Sequence, residues 1–108
     1  NPPFPSPTDW RDHWIYMLMI DRFNNPYAPP KKADWNKICN SRQGGTFEGI
    51  TKQLCYLKEL GVGAIWITPI LKNIKSDLLK YNYHGYSIQD FLEIDGRFAS
   101  DGKVETAE

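Results

Sequence analysis

An α/β fold with parallel strands is predicted by three features of this 108-residue sequence. Two stretches, Trp14 to Ile20 and Val62 to Ile70, are apolar without alternation, as in strands covered on both faces. Between them lies an amphipathic helical stripe, Phe47, Ile50, Leu54, Leu57 and Leu60, spaced three or four residues apart. A strand, a crossover helix and a second strand make a βαβ unit, whose right-handed crossover sets the two strands parallel and side by side.

Each element has its own local reason. Asn1 to Pro7 holds four prolines in seven residues, which forbids a helix and predicts an extended arm. Residues 1–8 form this arm; they lack the charged and apolar regions of a signal peptide and resemble a mature or trimmed N-terminus. After a polar lead-in, Asp9 to His13, the first strand runs from Trp14 to Ile20 and ends at Asp21, Arg22 and Phe23. Asp21 and Arg22 read as a local ion pair or as caps on backbone groups at the strand end, or as part of a site. Asn24 to Gly45 carries Asn-Pro, Pro-Pro and Gly-Gly and predicts a long loop, the kind that is functional or mobile. The helix follows over Phe47 to Leu60, with Thr46 as its N-cap and Gly61 as its left-handed terminator; its leucines are expected in the core. Val62 to Thr68 is the second strand, stopped by Pro69. Ser87 to Ile94 has mixed polarity, Asp95-Gly96 is a turn, and Asp101 is a candidate N-cap for a helix that the sequence cuts short.

Composition narrows the function classes. Hydrophobic residues make up 41% and charged residues 24%, a folding composition. Lysine plus arginine and aspartate plus glutamate are 13 each, so no net field favours nucleic acid or an anionic membrane surface. The longest apolar run is too short to span a bilayer, and a soluble protein is expected. Cys39 and Cys55 supply neither a disulfide framework nor a metal-ligand spacing. The aromatic share is 14%, with four tryptophans and six tyrosines, which suits stacking on sugars as well as a filled core.

The candidate ligand-binding stretch is Tyr83-His84-Gly85-Tyr86. Two aromatic rings, an imidazole and a glycine can stack on a flat apolar face and hydrogen-bond its polar rim, and a sugar ring offers both. In parallel α/β proteins ligands bind at the C-terminal ends of the strands. The Asn24 to Gly45 loop and this tetrapeptide both follow such ends.

The same residues carry a family resemblance. Asp9-Trp10-Arg11, Ile15-Tyr16 through Asp21-Arg22-Phe23, Gly44-Gly45-Thr46-Phe47-Glu48-Gly49-Ile50, Leu57, Ala64-Ile65-Trp66-Ile67-Thr68-Pro69 and Tyr83-His84-Gly85-Tyr86 together resemble the α-amylase family, glycoside hydrolase family 13. Order and spacing agree from Asp9 to Phe98, and secreted α-amylases and cyclodextrin glycosyltransferases look nearest. The resemblance implies a (β/α)8 TIM barrel, which takes roughly 250 residues. Residues 9–108 would then be an incomplete N-terminal segment of the catalytic barrel, about two βα units. What remains of the barrel is expected as more of the same chain or as another fragment.

The resemblance also implies an activity. Family members hydrolyse α-1,4-glucosidic bonds in starch and maltooligosaccharides with retention, using an aspartate nucleophile, a glutamate general acid/base and a stabilising aspartate. All three sit near barrel strands four, five and seven, so no catalytic residue is assigned in this segment. Asp21, Asp77, Asp90, Glu93 and Asp95 read as solvated or structural. By the resemblance, Tyr86 matches the tyrosine that stacks on the sugar next to the cleaved bond. His84 matches a position that hydrogen-bonds sugar hydroxyls, with a loop-bracing role as the alternative. Tyr83 is a third candidate, read more as packing, and Gly85 serves the turn. The substrate is expected to be an α-glucan or maltooligosaccharide, the location extracellular, and no nucleic-acid or membrane partner is expected.

Two departures from the family pattern stand out. Many relatives have tryptophan after the second tyrosine, where this chain has Ser87, so stacking on the next sugar must weaken or come from elsewhere. In the glycosyltransferases the loop after the first strand binds calcium through asparagines and aspartates; here the position after Gly-Gly is Thr46, and the loop offers Asn24 and Asn25. No metal ligand is assigned in this segment, and the Ca2+ that the family implies would take its ligands mostly outside it. Cys39 has no partner across the loop, since Gln43 precedes Gly44. A cyclodextrin glycosyltransferase-like transglycosylase and a non-catalytic amylase-like binding scaffold stay open as alternatives.

Overall fold

The computed structural model describes residues 2–29, 42–75 and 82–108. Cys39, Asp77 and the middle of the long loop lie outside the described residues. Residues 2–8 belong to no helix or strand, and Asp9 caps a 3₁₀ turn over Trp10–Asp12 by accepting from the Arg11 backbone N–H while pairing with the Arg11 guanidinium at 2.7 Å.

Strand β1 is Ile15–Leu18 and β2 is Ala64–Ile67, and they pair in parallel with Ile15 opposite Ala64 and Leu18 opposite Ile67. The predicted βαβ unit is therefore present. Both strands are shorter than their apolar runs. β1 stops because Ile20–Phe23 turns into a single helical turn, α1, whose first backbone N–H is held by the Thr68 hydroxyl at 3.2 Å. The crossover helix is two segments, α2 over Phe47–Lys52 and α3 over Leu54–Glu59, separated at Gln53, whose N–H bonds to Ile50 three residues back. Thr46 caps α2 by accepting from Gly49 N–H, and Gly61 follows α3 at φ +89°.

Leu18, Ile20, Leu57 and Phe98 form the buried cluster, with Tyr16, Phe23, Phe47, Ile50, Val62 and Ile70 packed on it. Two expectations are corrected here. Of the helix leucines only Leu57 is buried; Leu54 and Leu60 stay 45% and 46% exposed, because the two-stranded sheet is too narrow to meet the whole stripe. Nor are β1 and β2 covered on both faces: Ile15 and Met17 are exposed in β1, and Ile65, Trp66 and Ile67 in β2, because a two-stranded sheet has too few neighbours among the described residues to cover it.

The second sheet was not foreseen. β3, Leu71–Asn73, pairs antiparallel with β4, Ile88–Ile94, through an irregular register. Asp95 then caps a 3₁₀ turn, Gly96–Phe98, that drives Phe98 into the core against Phe47. The last helix, α4, is Val104–Ala107; its N-cap is Lys103, not Asp101. Asp101 acts one step earlier, accepting from Lys103 N–H and the Thr106 hydroxyl. Among the described residues no helix is long and apolar enough to cross a membrane.

Candidate sugar-binding site

The C-terminal ends of β1 and β2 open onto one rim, and two pieces of chain meet there. The first is the α1 turn. Asp21 is 4% exposed; its carboxylate accepts from Gln43 N–H at 2.9 Å and Gly44 N–H at 3.3 Å and pairs with Arg22 Nε at 2.9 Å. Asp21 thus does both structural jobs open to it in the sequence, ion pair and backbone cap. The Gly44-Gly45 segment lies directly on this turn, with Gly45 N–H bonded to Asp21 O at 2.9 Å. A Cβ on Gly45 would collide with the Ile20 carbonyl oxygen, so only glycine fits.

The second piece is the tetrapeptide. The Arg22 guanidinium stacks over the Tyr83 ring at 4.1 Å, which joins the tetrapeptide to the end of β1. Gly85, at φ +83°, turns the chain where a side chain would strike the Pro69 carbonyl oxygen at the end of β2. Tyr83 packs edge-on to His84 at 5.3 Å, and His84 lies 5.8 Å from Tyr86 at an interplanar angle of 33°. His84 Nδ1 accepts from Tyr86 N–H at 3.0 Å. That bond assigns the ring proton of neutral His84 to Nε2, the nitrogen left to donate to a ligand.

Exposure divides the roles. Tyr86 is 60% exposed, Tyr83 and His84 are half-buried, and Gly85 is buried. The ring best placed to meet a ligand is therefore Tyr86, with His84 beside it and Tyr83 wedged behind on Arg22.

Neighbouring carboxylates serve the scaffold. Asp95 accepts from Asn73 N–H and Arg97 N–H, Glu93 pairs with Lys72 Nζ at 2.7 Å, and Asp90 accepts from Leu92 N–H. The bond to Glu93 raises the Lys72 ammonium above its ordinary value. Burial, then the charge of nearby Arg42, lowers Arg97. Sequence reasoning passed over Asn73 and Arg97, which brace the tetrapeptide segment: Asn73 bonds Gly85 and Ser87, and Arg97 bonds the Asn82 carbonyl. A polar Asn73 inside Ile70 to Ile74 was the one signal available.

The corner named for calcium holds a small cavity lined by Asp21, Asn24, Asn25 and Gln43. Asn25 Oδ1 accepts from Tyr27 N–H, and the Asn24 and Asn25 amide nitrogens bond the Gly49 and Gly44 carbonyls. Thr46 Oγ1 is spent on its cap, and Asp21 on two N–H groups and Arg22. A hard cation needs several oxygens with carboxylates among them, and this lining offers one carboxylate, Asp21, already paired with Arg22, so it does not fit one. Among the described residues no cluster of three histidine, cysteine or acidic side chains could hold a metal. Cys55 is free and exposed.

Comparison with known proteins decides the family. The model for the α-amylase catalytic domain matches residues 18–107. This chain belongs to the α-amylase family. A β/α-amylase of Paenibacillus polymyxa is 39% identical over 91% of this chain, and a periplasmic α-amylase of Escherichia coli (strain K12) is 30% identical over 94% of it. The crystal structure of an α-amylase from Geobacillus thermoleovorans, complexed with acarbose, superposes with a TM-score of 0.64 at 40% identity over 82% of this chain. The chain spans 8%, 17% and 18% of these three proteins.

Proposed function

We propose that the complete protein is an α-amylase-type glycoside hydrolase that cleaves α-1,4-glucans with retention, and that this chain supplies one wall of its sugar site. The chain is read as the first two βα units of a (β/α)8 barrel, completed by further sequence of the same chain or by another fragment. The carrying observation is the exposed Tyr86 ring beside His84 at the C-terminal rim of a parallel strand pair. Tyr86 stacks on the sugar next to the cleaved bond. His84 donates from Nε2 to a sugar hydroxyl, and Tyr83 backs both from its seat on Arg22. Stacking orients the ring for in-line attack by groups from the remainder of the barrel; this chain orients, and chemistry is done elsewhere. Calcium is assigned to residues outside this chain, and the protein is read as extracellular.

The test uses the complete protein on a chromogenic maltooligosaccharide. Tyr86→Ala should lower kcat/KM by a loss of about 2 kcal/mol, near thirtyfold, with the melting temperature little changed. An unaltered rate removes Tyr86 from the site. Absence of turnover by the unsubstituted protein at every pH would leave the non-catalytic scaffold as the better reading.

A further inference from the structure

The side chain that fixes Tyr86 is not an aromatic and is thirteen positions away in sequence. Asn73 is 2% exposed at the end of β3. Its amide nitrogen donates to Gly85 O at 3.0 Å and to Leu71 O at 2.8 Å, while its amide oxygen accepts from Ser87 N–H at 3.2 Å. Gly85 C=O and Ser87 N–H belong to the two peptide groups that flank Tyr86. One carboxamide therefore grips Tyr86 from both sides, and the Tyr86 N–H is taken by His84. Both backbone dihedrals of Tyr86 are set by these three bonds.

The grip is itself held. Asn73 N–H donates to Asp95 Oδ2 at 3.0 Å, and Asp95 Oδ1 accepts from Arg97 N–H at 3.1 Å. Arg97 reaches back to the other end of the loop, where Nη1 donates to the Asn82 carbonyl. The segment from Asn82 to Ser87 is thus tied at its start by Arg97 and at its end by Asn73, and Asp95 joins the two ties. Only a carboxamide of this length donates and accepts at once here. A carboxylate at Asn73 would face two carbonyl oxygens with no proton to offer.

We propose that Asn73, supported by Asp95 and Arg97, is the positioning residue of the sugar-stacking loop, acting on substrate through Tyr86 alone. The proposal rests on the reading of Tyr86 as the stacking ring. It separates Asn73 from a residue that merely holds the hairpin together, because a structural role would not depend on what side chain sits at Tyr86.

A double-mutant cycle in the complete protein reads that difference. Asn73→Asp, Tyr86→Ala and the double variant are compared by kcat/KM on a maltooligosaccharide and by melting temperature. Asn73→Asp alone should lower kcat/KM about tenfold, but by less than about twofold when Tyr86 is already alanine. Arg97→Lys keeps the charge, loses the bond to Asn82, and should show the same coupling at about threefold; it carries the test if Asn73→Asp does not fold. An equal loss in both backgrounds, or a lowered melting temperature with kcat/KM unchanged, overturns the positioning role. If Tyr86→Ala by itself leaves kcat/KM unaltered, the stacking reading fails first and the positioning role falls with it.

Discussion

The parallel half of this chain is built on an apolar cluster and its hairpin half is not. Around β1, α2, α3 and β2 an apolar cluster of Leu18, Ile20 and Leu57 is buried, and Asp21, Thr46 and Thr68 are buried at its edge, each bonded to backbone N–H groups. Around β3 and β4 the buried groups are Asn73 and Asn82, and order comes from the bonds of the Asn73 side chain to Gly85 and Ser87 and of Arg97 to the Asn82 carbonyl. Apolar burial is non-directional and fixes a core; directional bonds fix a loop. A ring that must meet a substrate at one angle belongs on the second kind of support. Phe98 joins the halves, seated in the apolar cluster one residue beyond Arg97.

The largest expected effect breaks the parallel half alone. Gly45→Ala sets a Cβ on the Ile20 carbonyl oxygen and should destabilise the complete protein by about 4 kcal/mol or more. Thermal denaturation reads it, and a shift no larger than that of a surface substitution would show the α1 turn to be adaptable. Next comes Leu57→Ala, at about 3 kcal/mol, against less than about 1 kcal/mol for Leu54→Ala. Denaturant unfolding tests the pair. Equal losses would mean that the whole helix stripe is buried in the complete protein, as a further barrel strand beside β2 would make it. Thr46→Ala should cost about 1 kcal/mol through loss of the α2 cap. None of these should change the ratio of kcat/KM between Tyr86 and Tyr86→Ala proteins, whereas Asn73→Asp should.

What could be read in advance follows the same division. The βαβ unit was legible because apolar periodicity and two punctuating residues, Thr46 and Gly61, report on local structure. The end of β1 was not, since Met19 and Ile20 continue the apolar run while Thr68, distant in sequence, catches the Ile20 N–H and starts a helical turn. The β3–β4 pair was hidden for a related reason. Leu71–Asn73 is three residues long and its partner begins at Ile88, too far for a hairpin turn signal. Tyr83 to Tyr86 could be named as a site from residue type, but its bracing by Asn73 and Arg97 is a long-range match that no local pattern carries. The exposed faces of β1 and β2, with Trp66 62% exposed, are apolar surface that a two-stranded sheet leaves uncovered. Such a surface predicts poor solubility for the segment by itself.

The smallest effect concerns the clasp between the halves. Glu48, in the first turn of α2, accepts from the Tyr27 hydroxyl through Oε1 and from the Ser100 hydroxyl through Oε2 at 2.7 Å, so it ties the loop after β1 to the segment after Phe98. The Tyr27 bond first, then the Ser100 bond, holds the Glu48 carboxyl below its ordinary value, and the same contact raises the Tyr27 phenol. A lowered carboxylate contributes stability above its unfolded value, near 4.3, and loses it as pH falls through the folded value. A raised phenol contributes below its unfolded value, near 10, and loses it as pH rises through the folded one. The clasp is therefore complete between about pH 5 and pH 9 and weakens at both ends. Melting temperatures of the unsubstituted protein and Glu48→Gln should differ by a small constant amount across that window and begin to draw together as pH falls below about 4. A difference that persists unchanged at pH 3 would mean that the ionised carboxylate is not what joins the two halves, and would leave Phe98 as their principal link.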